Sequence, residues 1–280
     1  SPIISMHGLM ENLNRKNIDH IFFPSIINEQ SLLDGNIPEE KFYDKTRDGY
    51  FCYYSEYAPI IASNLTGINL KDKIICPRIK FNNRPDDLIA DELAEYSKKY
   101  FNIEKNILKE KFIASLNQYR IKKKNFKSIG KNIIEENTDK IIMLLLGRPY
   151  TAFDREINLG IPEKFEKLGF SIIYQSMLDF DIENTGYSKR YTDRMHWYYG
   201  QELILAAEYA AKSPNIYPVL LTCFRCSPDS YIINYVRDIL DRHEKPGLIL
   251  QLDEHTSDVG YDTRIESAVV YRKQDGVQYR

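Results

Sequence analysis

Tryptophan occurs once and cysteine four times in 280 residues, and neither sign of charge is in excess: 38 Lys and Arg face 40 Asp and Glu, for a net charge of -2. A chain of this length buries enough apolar surface to fold without disulfides. The charge balance argues against a nucleic-acid groove or an anionic membrane as the main partner, and the basic run RIKKK at 120–124 reads as a solvated helix end. No stretch approaches the roughly 20 apolar residues of a membrane helix. The opening residues lack the basic, apolar and small-residue sequence of a signal peptide. The chain also has no G-x-x-x-x-G-K-[ST] phosphate loop and no Asp-x-Gly-x-Thr segment. These absences predict a cytoplasmic protein with reduced thiols, so Cys52, Cys76, Cys223 and Cys226 are core residues, reactive thiols or metal ligands before they are disulfides.

What is present is clearest in the second half. Residues 140–146 form an apolar run ending in Gly147, followed by an amphipathic segment, 161–168, opened by Pro162 and closed by Gly169. Residues 170–174, 216–223 and 247–252 read as further strands, and 202–212, 230–240 and 263–271 as the helices between and after them. Strict alternation with short connections predicts parallel pairing through right-handed crossovers. A four-stranded flavodoxin-like or Rossmann-like domain is expected over residues 138–280.

The first half is less regular. A helix at 6–16, strands at 19–26 and 73–81, and a long charged helical stretch at 86–125 broken near Asn102 predict a smaller α/β lobe at 1–85 and a helical linker at 86–137. The fold class is therefore α/β, two lobes with parallel sheets joined by a helical segment. The polar stretch 28–49 has the length of a lid or a disordered loop.

Ligands of parallel α/β sheets collect at the carboxyl ends of strands. Three unusual loops fall there. One is TCFRCSPDS (222–230), with Pro228 and Asp229 supplying helix-start chemistry; the others follow the first strand at Arg148 and the fourth at Asp253, Glu254 and His255, with Arg264 and Glu266 beyond. Taken singly they are ambiguous: a Cys-x-x-Cys pair suits redox, zinc or iron–sulfur chemistry. Together, Arg148, Asp253, His255, Arg264 and Glu266 are expected to form a hydrogen-bonded network beside the cysteine loop.

LLLGRPYTAFDREINLGIP (144–162), MHWYYGQELILAAEYAAKSPNIYPVLLTCFRCSPDSYI (195–232) and LDEHTSDVGYDTRIES (252–267) resemble the dehydratase-like region of the 2-hydroxyacyl-CoA dehydratase and CoA-enzyme activase group. SPIISMHGLMENLNRKNIDHIFFP (1–24) is similar to that group's Cys-x-Pro-(x)4-His-Gly segment, and GYFCYYSEYAP (49–59) occupies the place of its second cysteine loop.

The resemblance implies an oxygen-sensitive iron–sulfur cluster, of the four-iron cubane type, held by cysteines from separate loops of two α/β lobes. Cys226, in the slot of a Cys-Gly-Pro-Asp-Ser motif, and Cys52 match its ligands. Arg148, Asp229, Asp253, His255, Arg264 and Glu266 are the residues around it. The matching first cysteine would precede Pro2, so the resemblance implies a fragment. Ser227 stands for a glycine and Cys223 for an asparagine, leaving Cys223 either a substitute ligand or a small buried residue. The partners implied are an ATP-hydrolysing activator of the actin/hexokinase type, in cis or in trans, and an acyl-CoA substrate. Lacking phosphate loops, the chain is expected to accept the electron rather than hydrolyse the ATP. Two other readings are a scaffold that has kept the fold without the cluster, and a zinc or thiol-redox protein using Cys223 and Cys226.

Overall fold

The computed structural model describes residues 2–16, 18–32, 49–67, 70–181, 185–224, 226–253 and 259–274. It divides into two compact units, one of residues 2–124 with 195–199, the other of 125–194 and 200–280 together with residue 1.

The amino-terminal unit opens with α1 (Pro2–Arg15) and two short strands, β1 (Ile21–Phe22) and β2 (Ser25–Asn28). After α2 (Tyr53–Ser63) come β3 (Ile74–Ile75) and β4 (Arg78–Lys80). Each strand expected as one is thus two. Pro24 and Pro77 supply the reason, since a residue without an N–H interrupts the ladder. The pairing nevertheless continues: β1 runs parallel to β3 and β2 to β4, with the Phe23 and Ser25 amides bonding Ile75 O and Pro77 O at 2.9 Å across the breaks. Tyr50 extends this layer by single bridges to Asn28 and Trp197. Met10, Ile21, Ala62 and Leu70 form its core.

Next, α3 (Asp86–Ser97) and α4 (Lys105–Glu136) make a helical hairpin. The break falls near Asn102 as the sequence indicates, but α4 continues 11 residues past 125 because nothing before Glu136 breaks its pattern. Charge pairs lace the hairpin: Lys105 to Asp91 and Lys109 to Asp87 at 3.0 Å, and Arg120 to Asp86 at 2.8 Å.

The second unit carries β5 (Ile142–Leu146), the short helices α5 (Pro149–Ala152), α6 (Arg155–Asn158) and α7 (Ile161–Lys167), β6 (Ser171–Tyr174), α8 (Lys189–Thr192), α9 (Tyr198–Lys212), β7 (Ile216–Cys223), α10 (Ser227–Arg242), β8 (Leu248–Leu252) and α11 (Val259–Gln274). Residues 198–199 of α9 group with the amino-terminal unit. Its sheet is four-stranded and parallel throughout, in the order β6-β5-β7-β8, which bears out the α/β class with parallel sheets. Every residue of β5 and β7 is buried, as a sheet covered on both faces requires. Met143, Leu145, Val219, Leu221 and Leu250 on one face pack with Phe165 of α7 and Ile265 of α11. Pro218 is tolerated inside β7 because pairing with β8 begins only at Val219. No helix among the described residues is long and apolar enough to cross a membrane.

Candidate functional site

In the second unit the carboxyl ends of β5, β6 and β7 meet, and here polar side chains are buried. Gly147 ends β5 and lets β7 come close: a Cβ there would stand 3.0 Å from both Leu221 O and Thr151 Oγ1. The Gly147 amide donates to Gln175 Oε1 at 2.9 Å, and Gln175 Nε2 donates to Glu202 Oε2 at 2.7 Å. Both side chains are buried, so this chain of bonds ties the β5 and β6 loops to α9.

Arg148 follows immediately. Its Nε lies 2.9 Å from Asp229 Oδ1, and both side chains are about 5% exposed. Asp229, in the first turn of α10, uses its other oxygen to accept from the Cys223 amide at 3.1 Å and the Thr222 hydroxyl at 3.2 Å. A first-turn carboxylate reaching back beyond its own helix is the logic of a capping box. It fixes the loop that carries Cys226.

Cys226 is the N-cap of α10, half-buried, with extended backbone; its carbonyl accepts the Ser230 amide at 2.9 Å, and its thiol makes no capping bond. Cys223, the last residue of β7, is buried, and burial foremost, with Asp229 beside it, pushes its thiol up to about 12. In the amino-terminal unit Cys52 is the N-cap of α2, buried, its sulfur 3.5 Å from Ser55 Oγ. Both cysteines that match the resemblance therefore occupy a helix N-cap. Cys76 sits between β3 and β4, half-buried, with its thiol raised by burial.

Of the five residues expected to network beside the cysteine loop, Arg148 is placed there, paired with Asp229, whereas Arg264 Nη2 donates to Ile249 O at 2.7 Å, next to Tyr261 OH, which donates to Gln251 O at 2.8 Å. These carbonyls alternate along β8, the edge strand, and point away from β7, so α11 covers the open edge of the sheet. Asp253 is exposed one residue past β8, Glu266 is exposed on α11, and His255 lies outside the described residues. Gln175, Glu202 and Thr222 were not anticipated from the sequence. An acid and two glutamines flanking or interrupting apolar stretches (Gln175 after SIIY, Gln201 and Glu202 before LILAA) were the available signal.

A buried polar cradle thus lies at the carboxyl ends of parallel strands, beside a cysteine at a helix N-terminus, in an α/β protein with parallel sheets. The chain belongs to the family described as CoA enzyme activase uncharacterised domain (DUF2229), which matches residues 1–178. The matched segment contains Cys52, Cys76 and Arg148 and ends before Cys223 and Cys226. No curated protein and no solved structure matches the chain.

Two of the thiols stand where a ligand of an iron–sulfur cluster is suited: Cys226 and Cys52 each occupy the N-cap of a helix, the end that favours negative charge. Cys223 fits poorly, since its proton is held by burial. Among the described residues no three His, Cys, Asp or Glu side chains group as a metal site, so a complete ligand set is not assembled from them.

Proposed function

We propose that this chain is the electron-accepting, iron–sulfur component of an ATP-driven CoA-enzyme activase system, with Cys226 and Cys52 as the thiolate ligands it contributes. The observation carrying this reading is the place of Cys226: a half-buried cysteine at the N-cap position of a 16-residue helix, at the carboxyl end of β7, beside the Arg148–Asp229 pair. Membership of a CoA enzyme activase family supports the kind of system. When bound, a four-iron cubane would store one electron at low potential. The chain's own part is to hold Cys226 in a fixed orientation through the Arg148–Asp229–Cys223 connection and to present helix amides to negative charge. The partner in this reading is an ATPase of the actin/hexokinase type and the substrate class an acyl-CoA.

A zinc or thiol-redox role for Cys223 with Cys226 is less well supported, because a thiol held at about 12 is neither a ready nucleophile nor a ready ligand. The test is anaerobic purification with iron and acid-labile sulfide analysis. Stoichiometric iron and sulfide, lost in Cys226→Ser and Cys52→Ser and retained in Cys223→Ala and Cys76→Ala, is expected. Iron-free protein that also fails anaerobic reconstitution would leave the scaffold reading standing, and bound zinc lost with Cys223→Ala would establish the zinc one.

A further inference from the structure

At the opposite end of the same sheet, between α10, α11 and the start of β8, lies a cavity of about 580 Å³. That is within the range of small-molecule sites, about 300–1,000 Å³. Its floor is apolar, with Tyr217 and Leu240 buried. Three cations converge on it from three separate segments: Arg237 of α10, Lys245 of the α10–β8 connection and Arg264 of α11, against one acid, Asp241. In a chain of net charge -2, that local excess is unusual.

The fold explains part of it. Arg264 caps Ile249 O, and Lys245 Nζ bonds the carbonyls of Ser213 and Pro214. Neutral carbonyls thus hold both groups in place. Arg237 makes no hydrogen bond or ion pair with the described residues, although Asp241 stands one turn along the same helix. Nothing in the packing of α10 calls for a guanidinium there. The cavity is also remote from the cysteine loop: Tyr217 and Cys223 are six residues apart along β7, about 20 Å of extended strand.

We propose that this cavity binds a small organic anion, a phosphate or carboxylate carried on an apolar or aromatic body. The body would lie over Tyr217 and Leu240, and the anionic group would meet Arg237 and Arg264. The site is independent of any cluster.

The test is a fluorescence titration of the full chain with 8-anilino-1-naphthalenesulfonate, which joins an anion to an aromatic body, followed by competition with phenyl phosphate and with benzoate. One saturable site is expected. Arg237→Gln should weaken it about tenfold, the loss of roughly one charge-assisted contact. Ser267→Trp, which fills the cavity from an exposed position of α11 and leaves every charge in place, should abolish it. Both variants should keep the parent thermal midpoint, and Cys226→Ser should bind the probe normally. Displacement by phenyl phosphate alone assigns the phosphate class, and displacement by benzoate as well assigns an anion site that accepts carboxylates. Non-saturable binding, binding indifferent to both substitutions, or displacement by neither competitor would overturn the proposal.

Discussion

Arg148 and Asp229 are each about 5% exposed and 2.9 Å apart, so neither can be removed without stranding the other's charge in a poorly solvated place. Arg148→Met is expected to cost about 3–5 kcal/mol in urea unfolding. The double variant Arg148→Met with Asp229→Leu should recover a large part of that, since it strands no charge. A loss under about 1 kcal/mol from the single change would show the pair to be hydrated. Cys223 gives a pH signature. Its thiol lies above the ordinary 9.0, at about 12 in the folded chain, so the folded state holds the proton more tightly than the unfolded one. Its contribution is complete below pH 9.0 and is lost as pH rises through about 12, at roughly 1.4 kcal/mol per pH unit within that window. Denaturation at pH 8, 9.5 and 10.5 should show this slope in the parent and not in Cys223→Ala; equal slopes would mean the thiol is solvated.

At the scale of elements, two glycines predict opposite responses to one substitution. Gly130 is the one buried residue of α4, and a Cβ there would stand 2.5 Å from Met177 Cβ and 2.7 Å from its carbonyl oxygen. Backbone cannot yield as a flexible side chain does, so overpacking, about 1–3 kcal/mol, outweighs the helix-propensity gain of about 1 kcal/mol. Gly8 in α1 has nothing within 4 Å of its Cβ position, and Gly8→Ala should gain roughly 0.5–1 kcal/mol. Calorimetry on the two variants checks both signs, and a stabilised Gly130→Ala would mean that α4 can move off Met177. The elements are legible in the sequence where period and punctuation agree: the apolar run Ile216–Cys223 matches its strand to the residue, and the α3–α4 break falls where Asn102 interrupts the pattern. They are not legible where a residue inside an apolar run lacks an N–H. Hydropathy reads 19–26 and 73–81 as continuous, whereas Pro24 and Pro77 divide each.

Across the whole molecule, stability should follow burial. All of Ile142–Leu146 and Ile216–Cys223 is buried within a four-stranded sheet, whereas β1 and β3 are two residues each in a two-stranded pair, an arrangement with little independent stability. Amide hydrogen exchange should therefore be slowest in β5 and β7 and faster by orders of magnitude in β1 and β3. Comparable protection in both sheets would refute that ranking. The sequence by itself determined the parallel α/β class, because alternation of apolar strands and amphipathic helices with short links admits little else. It also marked the cysteine loop, since a strand end, a proline and an acid in succession start a helix whatever surrounds them. Tertiary structure alone decided the partners. Arg148 and Asp229 are 81 positions apart in the chain, and only the register of β5 against β7 brings them together. Arg264, equally polar and following β8 as Arg148 follows β5, is carried by the course of α11 to a carbonyl of an edge strand instead. Residue type fixes what a side chain can bond, but the sheet order fixes which bonds are within reach.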